Sequence, residues 1–233
     1  MSRGPIIVTD RLIIHIDAGN LKSYPLTGIT CTDLVNTGKE NTNGTLTNGP
    51  VYSGTNMGCI VLDGVNDTIE MGNSTYTDFS NVDPWSMVLT FQTPPIITTA
   101  LNFNYLLKGS SGAAVGGFFL YFSDLSLTGD STTAEVKMRH NATVRLAGTI
   151  ELTQVISIVI TYAGSGNMEC YINGVYLGNF GAMTGFSTGT NLSIGVGNTY
   201  TRCQVYNFMK YSKQLSASEV LQNYNAIRTR LKQ

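Results

Sequence analysis

The chain has 233 residues, a length that β-sandwiches reach as one unit, so a single domain spanning residues 1–233 is expected. Charged side chains make up only 12% of it, and Lys+Arg 14 against Asp+Glu 15 leaves a formal net charge of -1. That balance gives no broad attraction to nucleic acid or an anionic membrane, and no apolar run approaches the roughly 20 residues a membrane-crossing helix needs.

The chain opens with Met1-Ser2-Arg3-Gly4-Pro5 and then Ile6-Ile7-Val8, too short an apolar run for the centre of a signal peptide, so classical secretion is not expected. Short runs rich in Val, Ile, Tyr, Phe and Thr follow, broken by Gly, Asn and Ser, with the two-residue alternation of strands. Strands are predicted at Leu12–Ile16, Cys59–Leu62, Asp67–Met71, Trp85–Gln92, Asn104–Lys108 and Gly117–Phe122. Further ones are predicted at Ala134–Arg139, Val155–Tyr162, Met168–Ile172, Leu192–Val196 and Gln204–Tyr211. Gly28 to Gly58 reads as an ordered loop in which only Leu46 and Val51-Tyr52 hint at strands. Asn173-Gly174 has the left-handed tolerance of a two-residue hairpin turn. The one helical pattern starts at a capping box, Ser216 with Glu219, and places Val220, Leu221, Tyr224, Ile227 and Leu231 on one face. Arg228, Arg230 and Lys232 complement the negative end of its dipole.

In order along the chain, several segments resemble the laminin-G-like family of concanavalin A-like lectin/glucanase domains, in the form found in tailed-phage virion proteins. They are Leu12–Asn20 with Ser23-Tyr24-Pro25, Asn43–Pro50, Leu62–Asp67, Trp85–Phe91, Tyr171–Val175 and Leu215–Asn225. The resemblance implies an all-β, two-sheet antiparallel jelly-roll sandwich with one short C-terminal helix, and a Trp85 packed at the sandwich edge. Where many members carry an acidic pair in the last core strand, this chain has Tyr206 and Asn207. Calcium held through that pair is therefore not expected, and the expected cofactor is none.

Catalytic constellations are missing from the pattern. Glycoside hydrolysis needs paired carboxylates, whereas Glu40, Glu70, Glu135, Glu151, Glu169 and Glu219 are scattered singly. No Gly-x-Ser-x-Gly elbow occurs, and His15 and His140 cannot build a histidine-rich metal centre. His15 is expected to be held by a neighbour. Cys31, Cys59, Cys170 and Cys203 form no C-x-x-C pair and are expected as free, buried thiols. Asp63, Asn66 and Asp67 could offer oxygens to calcium and equally suit an Asx turn between two strands, which is the preferred reading. Sequons at Asn43, Asn66, Asn73, Asn141 and Asn191 follow from an Asn- and Thr-rich composition. Sugar binding uses exposed aromatic faces and loop amides, which makes Tyr76, Tyr105, Asn198 and Tyr200 the candidate ligand-binding residues.

The expected function is a non-enzymatic structural component of a tailed-phage virion, a capsid decoration or fibre protein with a glycan-binding role. The alternative is a bacterial carbohydrate-binding module or adhesin. Expected partners are other virion proteins and host-surface glycans, with the protein in many copies or as a homo-oligomer. The expected location is the virion surface after assembly in the host cytoplasm, or the extracellular space for the alternative.

Overall fold

The computed structural model describes residues 6–35, 42–72, 74–80, 82–93, 104–109, 118–124, 132–140, 143–152, 154–182, 192–196 and 200–231. Its strands are β1 (Leu12–Asp17), β2 (Thr30–Cys31), β3 (Gly44–Thr47), β4 (Val51–Ser53), β5 (Cys59–Asp63), β6 (Thr68–Met71), β7 (Trp85–Gln92) and β8 (Asn104–Gly109). They continue as β9 (Phe118–Asp124), β10 (Thr133–His140), β11 (Thr143–Glu151), β12 (Ile156–Tyr162), β13 (Asn167–Ile172), β14 (Val175–Ala182), β15 (Leu192–Ile194) and β16 (Arg202–Tyr211). Among the described residues a 3-10 turn at Thr55–Met57 precedes β5, and one α-helix, α1 (Ala217–Leu231), follows the strands. The strands form two antiparallel sheets, ordered β14-β13-β12-β7-β16-β5-β4 with β1 also on β16, and β11-β10-β9-β8-β15-β6-β3-β2. The expected two-sheet sandwich with a C-terminal helix is the fold observed.

Two cores result. Side chains such as Ile14, Leu62, Met87, Leu89, Phe91, Leu120, Phe122, Ile158 and Phe208 fill the space between the sheets. On the other face of the first sheet, Val88, Val159, Tyr206, Met209 and Tyr211 pack with Val220, Ile227 and Leu231 of α1. A sheet covered on both faces explains why β7 is buried from Trp85 to Phe91 and β12 along its whole length. Trp85 packs edge-on against Phe79 at 4.8 Å and donates its indole N–H to Ser80 O at 2.9 Å.

The predicted hairpin and cap form as expected. Asn173 (φ 51) and Gly174 (φ 81) make the β13–β14 turn. Ser216 N donates to Glu219 Oε2 at 3.0 Å while Glu219 N donates to Ser216 Oγ at 3.3 Å. The buried face of α1 differs from the expectation. Asn223 is buried, whereas Leu221 is 45% exposed and lies with Tyr224 beside Gly174, the hairpin tip. Asn223 is accommodated because its carboxamide closes a buried ring: Val8 N donates to Asn223 Oδ1 at 2.8 Å, Asn223 Nδ2 donates to Tyr211 Oη at 3.0 Å, and Tyr211 Oη donates to Val8 O at 3.0 Å. Near the other end of α1, Arg230 pairs with buried Asp17 rather than serving only the helix dipole. His15 meets Asn207 Nδ2 through Nε2 at 3.2 Å, and burial lowers its pKa, opposed by the nearby Asp17 carboxylate.

Between Val205 and Asn207 the ladder of β16 with β7 shifts register, which leaves Lys210 opposite Ile14 and facing the space between the sheets. Lys210 is 2% exposed, donates to Tyr76 O at 2.6 Å and to Asp78 O, and stands 4.6 Å from the centre of the Phe79 ring. Burial pushes its amine down from 10.5 to about 7, against the pull of Asp78. Above pH 7 the unfolded chain therefore holds a proton here that the folded one lacks, and stability rises with pH. Urea midpoints measured from pH 6.5 to 8 should show an upward component of at most about 1.4 kcal/mol per pH unit that is absent in Lys210→Met. That window lies below the range in which buried thiols and phenols oppose the trend. An identical slope in the variant would assign it to other groups.

All four cysteines are buried and free, and burial raises the thiols of Cys31 and Cys203 to about 12. Cys59 packs on the helix side of the first sheet and Cys203 on the inter-sheet side, so the two face apart. The native protein should resist alkylation by iodoacetamide at pH 8, and all four thiols should react after denaturation. Rapid native labelling of any one would contradict the burial.

Candidate functional site

The loops at one end of the sandwich converge on the start of β16. Arg202 lies opposite Asp63, Gln204 opposite both Val61 and Gln92, and Asn48 Nδ2 donates to Asn66 O at 2.9 Å. Gly195 N donates to Leu106 O and Thr201 N to Gly195 O, both at 2.9 Å, which brings the β15–β16 loop to the same end. Gly195 (φ 87) is required twice over, because a Cβ there would stand 2.3 Å from Leu62 Cδ1.

Here lies a pocket of about 360 Å³ whose lining includes Val61, Gln92, Thr93, Arg202 and Gln204. Beneath the two carboxamides sits Tyr206. Its hydroxyl is 3.1 Å from Gln92 Oε1 and 2.9 Å from Gln204 Oε1, and it accepts from Asn56 Nδ2 at 3.0 Å. One phenolic proton cannot serve both glutamine oxygens at once. It is shared between Gln92 Oε1 and Gln204 Oε1, of which Gln204 also accepts from Cys59 Sγ at 3.6 Å, so both carboxamide oxygens face the hub. Burial raises the Tyr206 pKa, so the hub keeps that proton at neutral pH. Thr93 is 6% exposed, and its Oγ1 is buried with no hydrogen-bond partner. The pocket thus offers amide and guanidinium groups beside the apolar Val61, a mixture suited to a polyhydroxylated ligand.

Two of the four sequence-predicted residues lie at this end, though neither is among the pocket's lining residues. Tyr200, 39% exposed, bridges to Val196 and stands two residues before Arg202. Tyr105 is placed by its backbone, in β8 next to the Leu106 carbonyl that receives Gly195 N. Asn198 lies outside the described residues. Tyr76 belongs elsewhere. Its carbonyl receives Lys210 Nζ, roughly 26 Å along β16 from Arg202 at about 3.3 Å per residue, and its half-buried ring packs on the main core.

Asp63, Asn66 and Asp67 form the turn between β5 and β6. Asp63 Oδ1 accepts from Val65 N at 2.7 Å and Asn66 N at 3.3 Å, and Asp67 Oδ2 accepts from Asp63 N at 3.0 Å. Those amide hydrogen bonds, led by the one from Val65, lower the Asp63 pKa, while burial raises that of Asp67. These oxygens serve the backbone of their own turn. Among the described residues, no group of three or more His, Cys, Asp or Glu is placed to hold a metal ion.

Sequence reasoning missed Gln92, Thr93, Arg202 and Gln204. The available signal was polar residues at the ends of two strands with buried centres, but it required knowing that β7 and β16 pair.

No family model matches the chain, and none of the curated proteins compared matches it. Solved structures do resemble it. Domain 4 of the extracellular GH43 arabinanase AbnA from Geobacillus stearothermophilus, in complex with arabinotriose, superposes with a TM-score of 0.66 at 14% identity, over 92% of this chain and 98% of that one. The binding domain of botulinum neurotoxin DC, in complex with SialylT, gives 0.67 at 11% identity, and Trypanosoma rangeli sialidase in complex with sialic acid gives 0.68 at 14%. These cover 94% and 98% of this chain, which spans 52% of the neurotoxin domain and 36% of the sialidase. At such identities the likeness establishes the fold alone.

Replacing the hub tests the geometry. Tyr206→Phe should leave Asn56 and the glutamine amides short of a partner and cost about 1–2 kcal/mol in denaturant unfolding. A neutral effect would show that the shared proton contributes nothing.

Proposed function

We propose that this domain is a non-catalytic glycan-binding component displayed in many copies on the exterior of a tailed-phage virion, where it meets host-surface glycans. The observation that carries the glycan reading is the pocket at the β16 end, whose carboxamides and guanidinium suit the hydroxyl groups of a sugar. Similarity to domains solved with arabinotriose and SialylT adds weight. The phage setting is supported by the ordered motif resemblance, and display in many copies would multiply a modest single-site affinity through effective concentration.

The non-catalytic part of the proposal is supported by how four of the five described glutamates are engaged, Glu151 standing exposed at another pocket. Glu70 receives Ser193 Oγ, Glu135 pairs with Lys137, Glu169 receives Tyr171 Oη at 2.8 Å, and Glu219 caps α1 and pairs with Lys213. None of these carboxylates lines the pocket.

The alternative, a bacterial carbohydrate-binding module or adhesin, is favoured by one observation: the match extends over 98% of the arabinanase domain. Mass spectrometry of purified particles separates the readings. The virion assignment expects the protein at many copies per particle, and its absence from particles of a phage that encodes it would favour the module.

Glycan binding itself is checked on a glycan array with the domain tetramerised on streptavidin. Binding should be present and fall at least tenfold when Gln92 and Gln204 are both replaced by Ala. Retention of binding by that double variant, or no glycan bound across the array, would remove the pocket from the proposal.

A further inference from the structure

Building on the glycan reading, we infer that the pocket selects saccharides bearing a carboxylate, with Arg202 as the residue that recognises the charge. The argument starts from an imbalance. Arg202 and Asp63 stand directly opposite each other on paired strands, a position from which oppositely charged side chains commonly join. Here they make no ion pair: the described pairs are Lys137–Glu135, Lys213 with Asp10 and Glu219, and Arg230–Asp17. Asp63 is turned instead onto Val65 N and Asn66 N, which hold its Oδ1 inside the turn. The guanidinium is thus left at the pocket without its geometric partner.

The rest of the lining sharpens the preference. No carboxylate is among the described lining residues, so Arg202 is the one formal charge there. The Tyr206 proton and Cys59 Sγ both occupy Gln204 Oε1, which leaves the Gln204 amide N–H groups as donors. Gln92 Oε1 faces the same Tyr206 hydroxyl, so its N–H groups are donors as well. Donors outnumber acceptors, and a carboxylate, with two acceptor oxygens and no proton, answers that excess better than a hydroxymethyl group does. Planar bidentate pairing is also the geometry a guanidinium offers best. Val61 supplies the apolar side against which a sugar ring can lie.

The test uses uronic- and sialic-acid-ended oligosaccharides, each beside its carboxyl-reduced counterpart, titrated into the 15N-labelled protein and followed by NMR. The acids should move the Arg202 and Gln204 amides and bind about tenfold or more tightly than the reduced forms, as expected of charge-assisted hydrogen bonds. Raising salt should weaken the acids alone. Arg202→Gln should abolish the preference, and Arg202→Lys should restore part of it, with thermal melts of both variants confirming the fold. Equal affinity for acid and reduced forms at the pocket overturns this inference and leaves the glycan reading standing. A preference that survives in Arg202→Gln overturns the assignment of Arg202. If acetate at equal concentration displaces the acids, the site reads a free carboxylate rather than a saccharide and the inference falls. If no saccharide in the set moves pocket resonances, the inference and the glycan reading fall together.

Discussion

The buried ring of hydrogen bonds among Val8, Asn223 and Tyr211 is the contact on which the second core depends. A 15-residue helix is marginal alone in water, and α1 owes its stability to the face it covers. The ring joins the entering chain, the last strand and the helix at one point, with each donor meeting an acceptor. Removing any member would strand two buried polar groups, each costing about 1–3 kcal/mol. Because α1 is held there, the central strands β7, β12 and β16 of the first sheet are dry on both faces and can alternate large apolar groups with Ser86, Val88 and Thr90 instead of charged ones. The low charge content of the chain is in part a consequence of this double burial.

The same constraint gives β16 two unlike ends. The register shift between Val205 and Asn207 lets both halves of the strand keep apolar groups in the main core, Cys203 and Val205 before it and Phe208 after it. Past the shift, alternation carries Lys210 inward, where backbone carbonyls and the Phe79 ring replace water around its amine. At the beginning of the strand, Arg202 remains exposed beside the pocket. Two basic side chains eight positions apart on one strand therefore meet opposite fates: the buried one organises the 74–79 turn, and the exposed one stands at the pocket.

Much of this architecture was legible in the sequence, because strands with one apolar face and a clear turn announce themselves. Trp85–Gln92 was bounded correctly, the Asn173-Gly174 hairpin and the Ser216 cap formed as read, and most other strands differ by one or two residues at an end. β11 (Thr143–Glu151) escaped notice because it is an edge strand whose side chains are mostly exposed, so no burial alternation marks it. Asn223 was unreadable as a core residue, since its polarity is satisfied only by groups more than ten and two hundred positions away. Of the aromatic candidates, Tyr200 and the backbone of Tyr105 lie at the same end of the sandwich as the pocket without being among its lining residues. The aromatic signal also pointed to Tyr76, whose ring packs far from the others. The glutamines and Arg202 were invisible for a different reason: their meaning lies in strand pairing, which no local pattern records.

The arrangement is polar along the strand axis in a way that bears on function. Ile6 and Val8 are fastened to α1 and to the Tyr211 end of β16, so the described N-terminal segment belongs to the domain's own core. The pocket lies at the Arg202 end, roughly 30 Å away at about 3.3 Å per residue over the ten residues of β16. The contacts of the N-terminal segment and the pocket thus occupy opposite ends of one sheet. A neighbour that held the Tyr211 pole would leave the pocket facing outward and unobstructed, and copies held side by side would present their pockets in register. Weak single-site recognition is tolerable in such a layout, because avidity grows with the number of sites that can engage together and is lost when geometry forbids it.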